Sequence, residues 1–155
     1  MAHSDHSLLT TEDIVIVGLE ASTKEEATRQ LAQKLFDDER VTDLEGFLED
    51  VAAREEQMNT GLPNGIGIPH ARSAHVSTPS VAVGVSKYGV HFGAADGPAN
   101  LIFLIGAPDT ADDEHLHIIA ALARKLVLDE FLDSLRNANN GAEIAQIITE
   151  GVHKR

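Results

Sequence analysis

Leu101-Ile102-Phe103-Leu104-Ile105 is the most apolar run in the chain, and its reading decides the fold. A continuous apolar run with no polar face reads as a central strand, covered on both sides. Gly106-Ala107-Pro108 stops it. Downstream, residues 112–128 read as a long helix with Leu116, Ile119, Ala120, Ala123 and Val127 inward. Residues 131–135 suggest a short helix, broken at Asn139-Asn140-Gly141. A last helix over 143–149 turns Ile144, Ile147 and Ile148 inward. Upstream, Asp96-Gly97-Pro98 signals a turn. Residues 80–86 read as a strand, joined by a tight turn near Lys87 to a short strand over 88–92. Between His70 and Pro79 the chain reads as loop.

The N-terminal third continues the alternation. Ile14-Val15-Ile16-Val17 reads as a buried strand ending near Gly18. Thr23 and Glu26 have capping-box spacing, which predicts a helix running to about Asp38 with Ala27, Leu31 and Leu35 as its stripe. Thr42 and Glu45 repeat that spacing before Leu44, Phe47, Leu48 and Val51, a second amphipathic helix ending near Glu56. Strands and helices interleave throughout. The expectation is one α/β domain over residues 8–150, a mixed parallel/antiparallel sheet flanked by helices on both faces. The 88–92 hairpin argues against an all-parallel sheet. Residues 1–9 look like a mobile lead-in. Residues 1–7 and 151–155 are expected to be flexible tails or the start of a linker.

Composition removes several function classes. A chain of 155 residues can bury one real core. No apolar run approaches the ~18 residues of a membrane span, and the first residues have neither the basic nor the apolar region of a secretory signal. There is no cysteine, so neither a disulfide nor a cysteine nucleophile is possible, which fits the cytoplasm. A formal net charge of −13 argues against nucleic acid, whose phosphates require a basic footprint; it reads first as a solvated acidic surface and second as a docking patch for a basic protein partner.

The chemistry-bearing stretch is Gly61-Leu62-Pro63-Asn64-Gly65-Ile66-Gly67-Ile68-Pro69-His70-Ala71, with three glycines and two prolines ahead of one histidine. Glycine permits tight turns and close approach, and proline stiffens the chain. An irregular segment presenting one imidazole is expected, and an imidazole near its ordinary pKa of ~6.5 is nucleophilic at neutral pH. Of the other histidines, 3, 6 and 153 fall in the expected tails, and His91 falls in a short strand. His115 lies in the first turn of a helix, where anions are favoured, and could equally be a capping or surface residue. His115 and His117 are too close in sequence to face one ion from a helix, and His70 and His75 are separated by loop, so a metal site is disfavoured. Arg54, in the last turn of its helix, suits the helix dipole. No Gly-x-Ser-x-Gly or Walker-type loop is present, and Gly65-x-Gly67 lacks the third glycine of a dinucleotide fingerprint.

Arg54-Glu55-Glu56-Gln57, Thr60-Gly61 and Asn64-Gly65-Ile66-Gly67-Ile68-Pro69-His70-Ala71 resemble the active-site signature of the fructose–mannitol family of IIA domains in the bacterial sugar phosphotransferase system. Asp113-Glu114-His115-Leu116 resembles the second histidine motif of that family. The family typically has alanine where this chain has Gly67, a change expected to leave slightly more backbone freedom beside the histidine. The resemblance spans about residues 8–150. It implies a phosphotransferase in which His70 accepts a phosphoryl group from the carrier protein HPr and passes it to a cysteine of a IIB domain, serving a membrane IIC permease indirectly. His115 and Arg54 would act on the phosphoryl group, with Thr60 and Asn64 as further polar contacts. No metal or organic cofactor is implied, because the donor is already a phosphohistidine. The loop looks more like the fructose branch than the mannitol branch. Nitrogen-regulatory IIA proteins, which act by phosphorylation-dependent binding to regulatory partners, share the signature and remain the alternative.

Overall fold

The structure, a computed structural model, describes residues 5–111 and 113–153, and the side chains of all of these except 113–115 and 153. Six strands form one sheet: β1 (Val15–Val17), β2 (Gly61–Leu62), β3 (Ile66–Gly67), β4 (His70–Ser73), β5 (Ser80–Val90) and β6 (Ala99–Pro108). Five helices accompany them: α1 (Lys24–Asp37), α2 (Leu44–Gln57), α3 (Asp113–Lys125), α4 (Asp129–Arg136) and α5 (Gly141–His153), with a 3-10 turn at Glu12–Ile14. The sheet order is β1-β5-β6-β3-β2, and β4 also pairs with β6. The β5–β6 and β2–β3 pairs are antiparallel, while β1–β5, β3–β6 and β4–β6 are parallel. The sheet is therefore mixed, as expected, and the apolar run over 101–105 lies at its centre.

Alternation along β6 explains the two helical layers. Leu101 and Phe103 share one core with Val81, Val83, Leu122, Leu132 and Ile144, on the side of α3, α4 and α5. Ile102 and Leu104 share the other with Leu31, Leu35, Phe47 and Val51, on the side of α1 and α2. Successive strand side chains point to opposite faces, so a run apolar at every position fills both. Each fully buried Leu, Ile or Phe contributes about 1.5–3 kcal/mol by leaving water.

Several boundaries differ from the sequence expectation. Thr23 caps α1 by accepting from the Glu26 amide at 3.1 Å, but α2 is capped by Asp43, which accepts from the Gly46 amide at 3.1 Å. Thr42 is held in extended chain by the adjacent Val41–Val76 bridge, and its hydroxyl donates to the His75 carbonyl. No hairpin turns at Lys87. Residues 80–90 are one strand whose register against β6 shifts between Val85 and Val90, and the chain reverses at 91–98. The Ser86 hydroxyl accepts the Gly89 amide, and the Ser86 carbonyl accepts from Asn100, which holds the irregular part of the strand on the sheet. His91 lies beyond that strand and is exposed. In the α3 region Leu122 and Leu126 are buried, while Ala120, Ala123 and Val127 are exposed, because the inward stripe is set by Ile118 and Leu122.

Residues 5–9 and 151–152, within the segments read as lead-in and tail, make defined contacts. Arg40, fully buried, donates to the carbonyls of Asp5 (3.0 Å) and Leu8 (2.9 Å) and to the Asp38 carboxylate (2.8 Å). His6, expected in a solvated tail, meets the Asp38 carbonyl at 2.8 Å, and Leu9 is a core residue. At the other end α5 continues through His153, with Val152 packed against the core.

Candidate functional site

The glycine-rich stretch is more regular than its composition suggests. Gly61–Leu62 and Ile66–Gly67 form a tight hairpin, and Asn64 and Gly65 take φ of 72° and 75° at its tip. Asparagine and glycine are the residues that tolerate this left-handed geometry. The Asn64 amide donates to Asp96, its side chain lies 3.5 Å from Asp129, and its carbonyl accepts from Arg136. All of these contacts secure the hairpin tip.

Beyond the hairpin, residues 70–73 form a strand where loop was expected. β3 and β4 lie end to end along β6 with no change of register, Gly67 opposite Ile102 and His70 opposite Ile105. The break between them is Ile68-Pro69. Proline has no amide hydrogen to give a ladder, but the Pro69 carbonyl still accepts the Ile105 amide at 3.0 Å. Short, proline-interrupted strands of this kind carry little periodic signal and are formed because β6 templates them.

His70 is half-buried at the first position of β4. Its Nδ1 lies 2.8 Å from the Ile68 carbonyl oxygen. A carbonyl oxygen only accepts, so Nδ1 carries the hydrogen, and the neutral ring has its lone pair at Nε2. The arrangement can therefore present a nucleophilic nitrogen of defined identity and direction.

Arg54 comes from the α2 layer. Asp50, one turn earlier, accepts from the Ser73 hydroxyl at 2.5 Å. Glu55, the next residue, accepts from Thr60, which stands opposite Ile68. Asp50 and Arg54 are separated by about 6 Å along the helix axis. Arg54 thus lies along α2 between the residue that contacts Ser73 and the residue that contacts Thr60. It continues the sheet-facing stripe of Phe47 and Val51, is half-buried, and has no hydrogen-bond or ion-pair partner among the described residues. β4 has β6 on one side only, so a side chain from the α2 layer can reach around its free edge.

The other expected residues are placed differently. Strand alternation turns Ala71 and Ser73 toward α2 and puts His70 on the face shared with Ile105, the α3 face. His115 lies in the first turn of α3, on that face, and its side chain falls outside the described residues. The β6–α3 connection is pinned to β4, with the Asp109 amide donating to the Ser73 carbonyl and Arg72 donating to the Asp109 carbonyl. Thr60 is buried, and its hydroxyl donates to Glu55 Oε1 at 2.7 Å. Two participants were not singled out from the sequence: the Ile68 carbonyl and the Glu55 carboxylate. Glu55 stood within the Arg54-Glu55-Glu56-Gln57 segment of the signature, but the sequence assigned it no role.

Gly67 has less freedom than expected. A Cβ there would meet the Phe92 ring at 2.8 Å, so the aromatic ring occupies the space of the missing methyl. A cavity of about 490 Å³ between α1 and α2 touches Pro69, Glu55, Lys24, Arg29 and Phe92, but not His70.

Comparison with known proteins adds relatives across the whole chain. The family model described as phosphoenolpyruvate-dependent sugar phosphotransferase system, EIIA 2, matches residues 7–151. A fructose-specific EIIA component of the phosphotransferase system from Haloferax volcanii is 34% identical over 150 residues, 96% of this chain and 97% of that protein. Nitrogen regulatory protein IIA-Ntr from Neisseria meningitidis has a crystal structure similar at a TM-score of 0.79 with 30% identity, over 93% of this chain and 98% of that one. Enzyme IIAMTL from Escherichia coli, solved in complex with phosphorylated enzyme IIBMTL, is similar at 0.73 with 25% identity, over 90% of this chain and 96% of that one.

Proposed function

The chain belongs to the EIIA 2 family of the phosphoenolpyruvate-dependent sugar phosphotransferase system, and from that premise we propose that it is a phosphocarrier whose acceptor is His70 Nε2. The observation that carries the reading is the Nδ1 hydrogen bond to the Ile68 carbonyl, which leaves Nε2 as the free nitrogen. The donor is phosphorylated HPr. Its N–P bond breaks as the bond from phosphorus to Nε2 forms, and Nδ1 keeps its proton. The ring becomes cationic, which strengthens the hydrogen bond to Ile68. The second transfer reverses this, with a IIB cysteine thiolate taking the phosphoryl group and His70 returning to the neutral tautomer. Phosphoryl transfer of this type needs in-line positioning and charge neutralisation more than covalent help. Arg54, half-buried in the last turn of α2 and lacking another partner among the described residues, supplies a planar cation for the phosphoryl oxygens. His115, from the helix start on the His70 face, is assigned the second contact with the group. Thr60 and Asn64 act by shaping the loop, since their described bonds go to Glu55, Asp96 and Asp129.

The protein works in the cytoplasm, feeds a fructose-type IIB domain, and through it a membrane IIC permease. The fructose-specific relative supports this branch. A regulatory reading has its own support in the likeness to a nitrogen regulatory protein. Incubation with labelled phospho-HPr tests the shared core: label should appear on His70 and be lost in His70→Ala. Normal labelling of that variant removes the assignment. Addition of a fructose-type IIB domain separates the branches, because transfer to its cysteine identifies the transport role and no transfer to any sugar IIB identifies the regulatory one.

A further inference from the structure

Thr60 and Ile68 stand opposite each other in the extension of the β2–β3 pair. Two bonds away, Leu62 and Ile66 occupy the equivalent place, so Thr60 and Ile68 fall at a position where antiparallel strands exchange both amide bonds. Only half of that exchange is made. The Ile68 amide donates to the Thr60 carbonyl at 3.0 Å. The Thr60 amide turns instead to Glu55 Oε2 at 2.9 Å, and the Thr60 hydroxyl takes Glu55 Oε1 at 2.7 Å. The Ile68 carbonyl, relieved of its ladder partner, accepts His70 Nδ1 at 2.8 Å.

We propose that Glu55 is a positioning residue for His70: by diverting the Thr60 amide from the ladder, it reserves the Ile68 carbonyl for the imidazole and so fixes Nε2 as the reacting nitrogen. A carboxylate suits this role. It accepts at both oxygens, and its bonds to the amide and hydroxyl are charge-assisted, so it outcompetes a neutral carbonyl. Glu55 is only 11% exposed, with Lys24 Nζ at 3.4 Å, so the acceptor is held in place. Thr60 is 5% exposed, and a buried amide that loses its partner seeks the nearest acceptor. That acceptor is Ile68. Removal of Glu55 therefore draws the Ile68 carbonyl back into the ladder and frees the ring to flip or change tautomer.

The inference rests on His70 being the phosphoryl acceptor, but its first test does not use activity. Nitrogen NMR of the His70 ring in the wild-type protein should show a protonated Nδ1 and an unprotonated Nε2 at neutral pH. Coupling across the hydrogen bond should link the Thr60 amide to the Glu55 carboxyl carbon; coupling to the Ile68 carbonyl instead overturns the proposal without any variant. Glu55→Leu, close in size, should mix the two tautomers and slow labelling by phospho-HPr about three- to tenfold, the range carried by one net hydrogen bond. Glu55→Gln retains one acceptor for the amide and should restore the wild-type tautomer. Thr60→Val removes only the hydroxyl and should leave the tautomer unchanged. An unaltered tautomer and labelling rate in Glu55→Leu defeat the positioning role. If instead the tautomers respond as stated while no protein is labelled at all, the phosphocarrier reading fails and the hydrogen-bond relay stands.

Discussion

Gly67→Ala pits two effects of opposite sign against each other. Gly67 lies in β3, outside the left-handed region, so alanine is compatible with its backbone. On backbone entropy alone the substitution should stabilise by about 0.4–1 kcal/mol, because it restricts the unfolded chain. The new methyl, however, would stand 2.8 Å from Cδ1, 2.9 Å from Cγ and 3.2 Å from Cε1 of Phe92. Contact with Cγ means the ring cannot escape by rotating about its own axis. Phe92 is 1% exposed, and its carbonyl is bonded to the Gly61 amide at 2.9 Å, so its backbone is anchored as well. Overpacking of this kind costs about 1–3 kcal/mol. The steric term is larger, and the net expectation is a loss of about 1–2 kcal/mol. With a urea m-value of about 2 kcal/mol/M, the midpoint should fall by about 0.5–1 M at unchanged m. Phe92→Leu in the same background should recover part of the loss, giving a double-mutant coupling of about 0.5 kcal/mol or more. A midpoint that rises in Gly67→Ala would refute the steric reasoning, since it would mean that Phe92 moves freely into the neighbouring cavity.

Three further outcomes follow from particular contacts. Arg54→Ala should leave the urea midpoint within about 0.5 kcal/mol of wild type and slow labelling by phospho-HPr roughly tenfold to a hundredfold, the value of a charge-assisted bond to the group; unchanged kinetics would return Arg54 to a helix-dipole role. Arg40→Ala should destabilise by about 3–5 kcal/mol, because it takes the guanidinium from a 6% exposed Asp38 carboxylate and from the carbonyls of Asp5 and Leu8, and amide exchange should accelerate first at residues 5–9. The Arg29 guanidinium, bonded to both oxygens of Glu45, holds that carboxyl below its usual value of 4.5. A depressed folded-state pKa stabilises above the unfolded value and loses that contribution as pH falls through the folded one. The stability difference between wild type and Glu45→Gln should therefore be small but constant at pH 6–8, vanish in acid, and shrink in high salt.

Legibility differed from one contact to the next for reasons of range. Thr23 was readable as a cap because its partner, the Glu26 amide, lies three residues on. The same spacing at Thr42 and Glu45 misled, since Val41 is bridged to the distant Val76 and the cap passes to Asp43. The two-faced core around 101–105 was readable because the alternation is local. The strand at 70–73 was not, because its pairing is set by β6 more than thirty residues away. His70 and Arg54 stood out by residue type and motif, whereas Glu55 was quoted within the signature segment and given no role.

The sequence by itself determined the interleaved α/β order, the two-sided apolar strand, and the identity of the histidine and arginine that the family signature carries. All of these depend on residue type and on neighbours within a few positions, where covalent geometry limits the outcome. Only the tertiary structure decided how that histidine is aimed. The Glu55 carboxylate accepts the Thr60 amide, the Thr60 carbonyl accepts the Ile68 amide, and the Ile68 carbonyl accepts the His70 ring nitrogen. A backbone amide or carbonyl is the same in every residue but proline, and which partner it takes is settled by what the fold brings within about three ångströms of it.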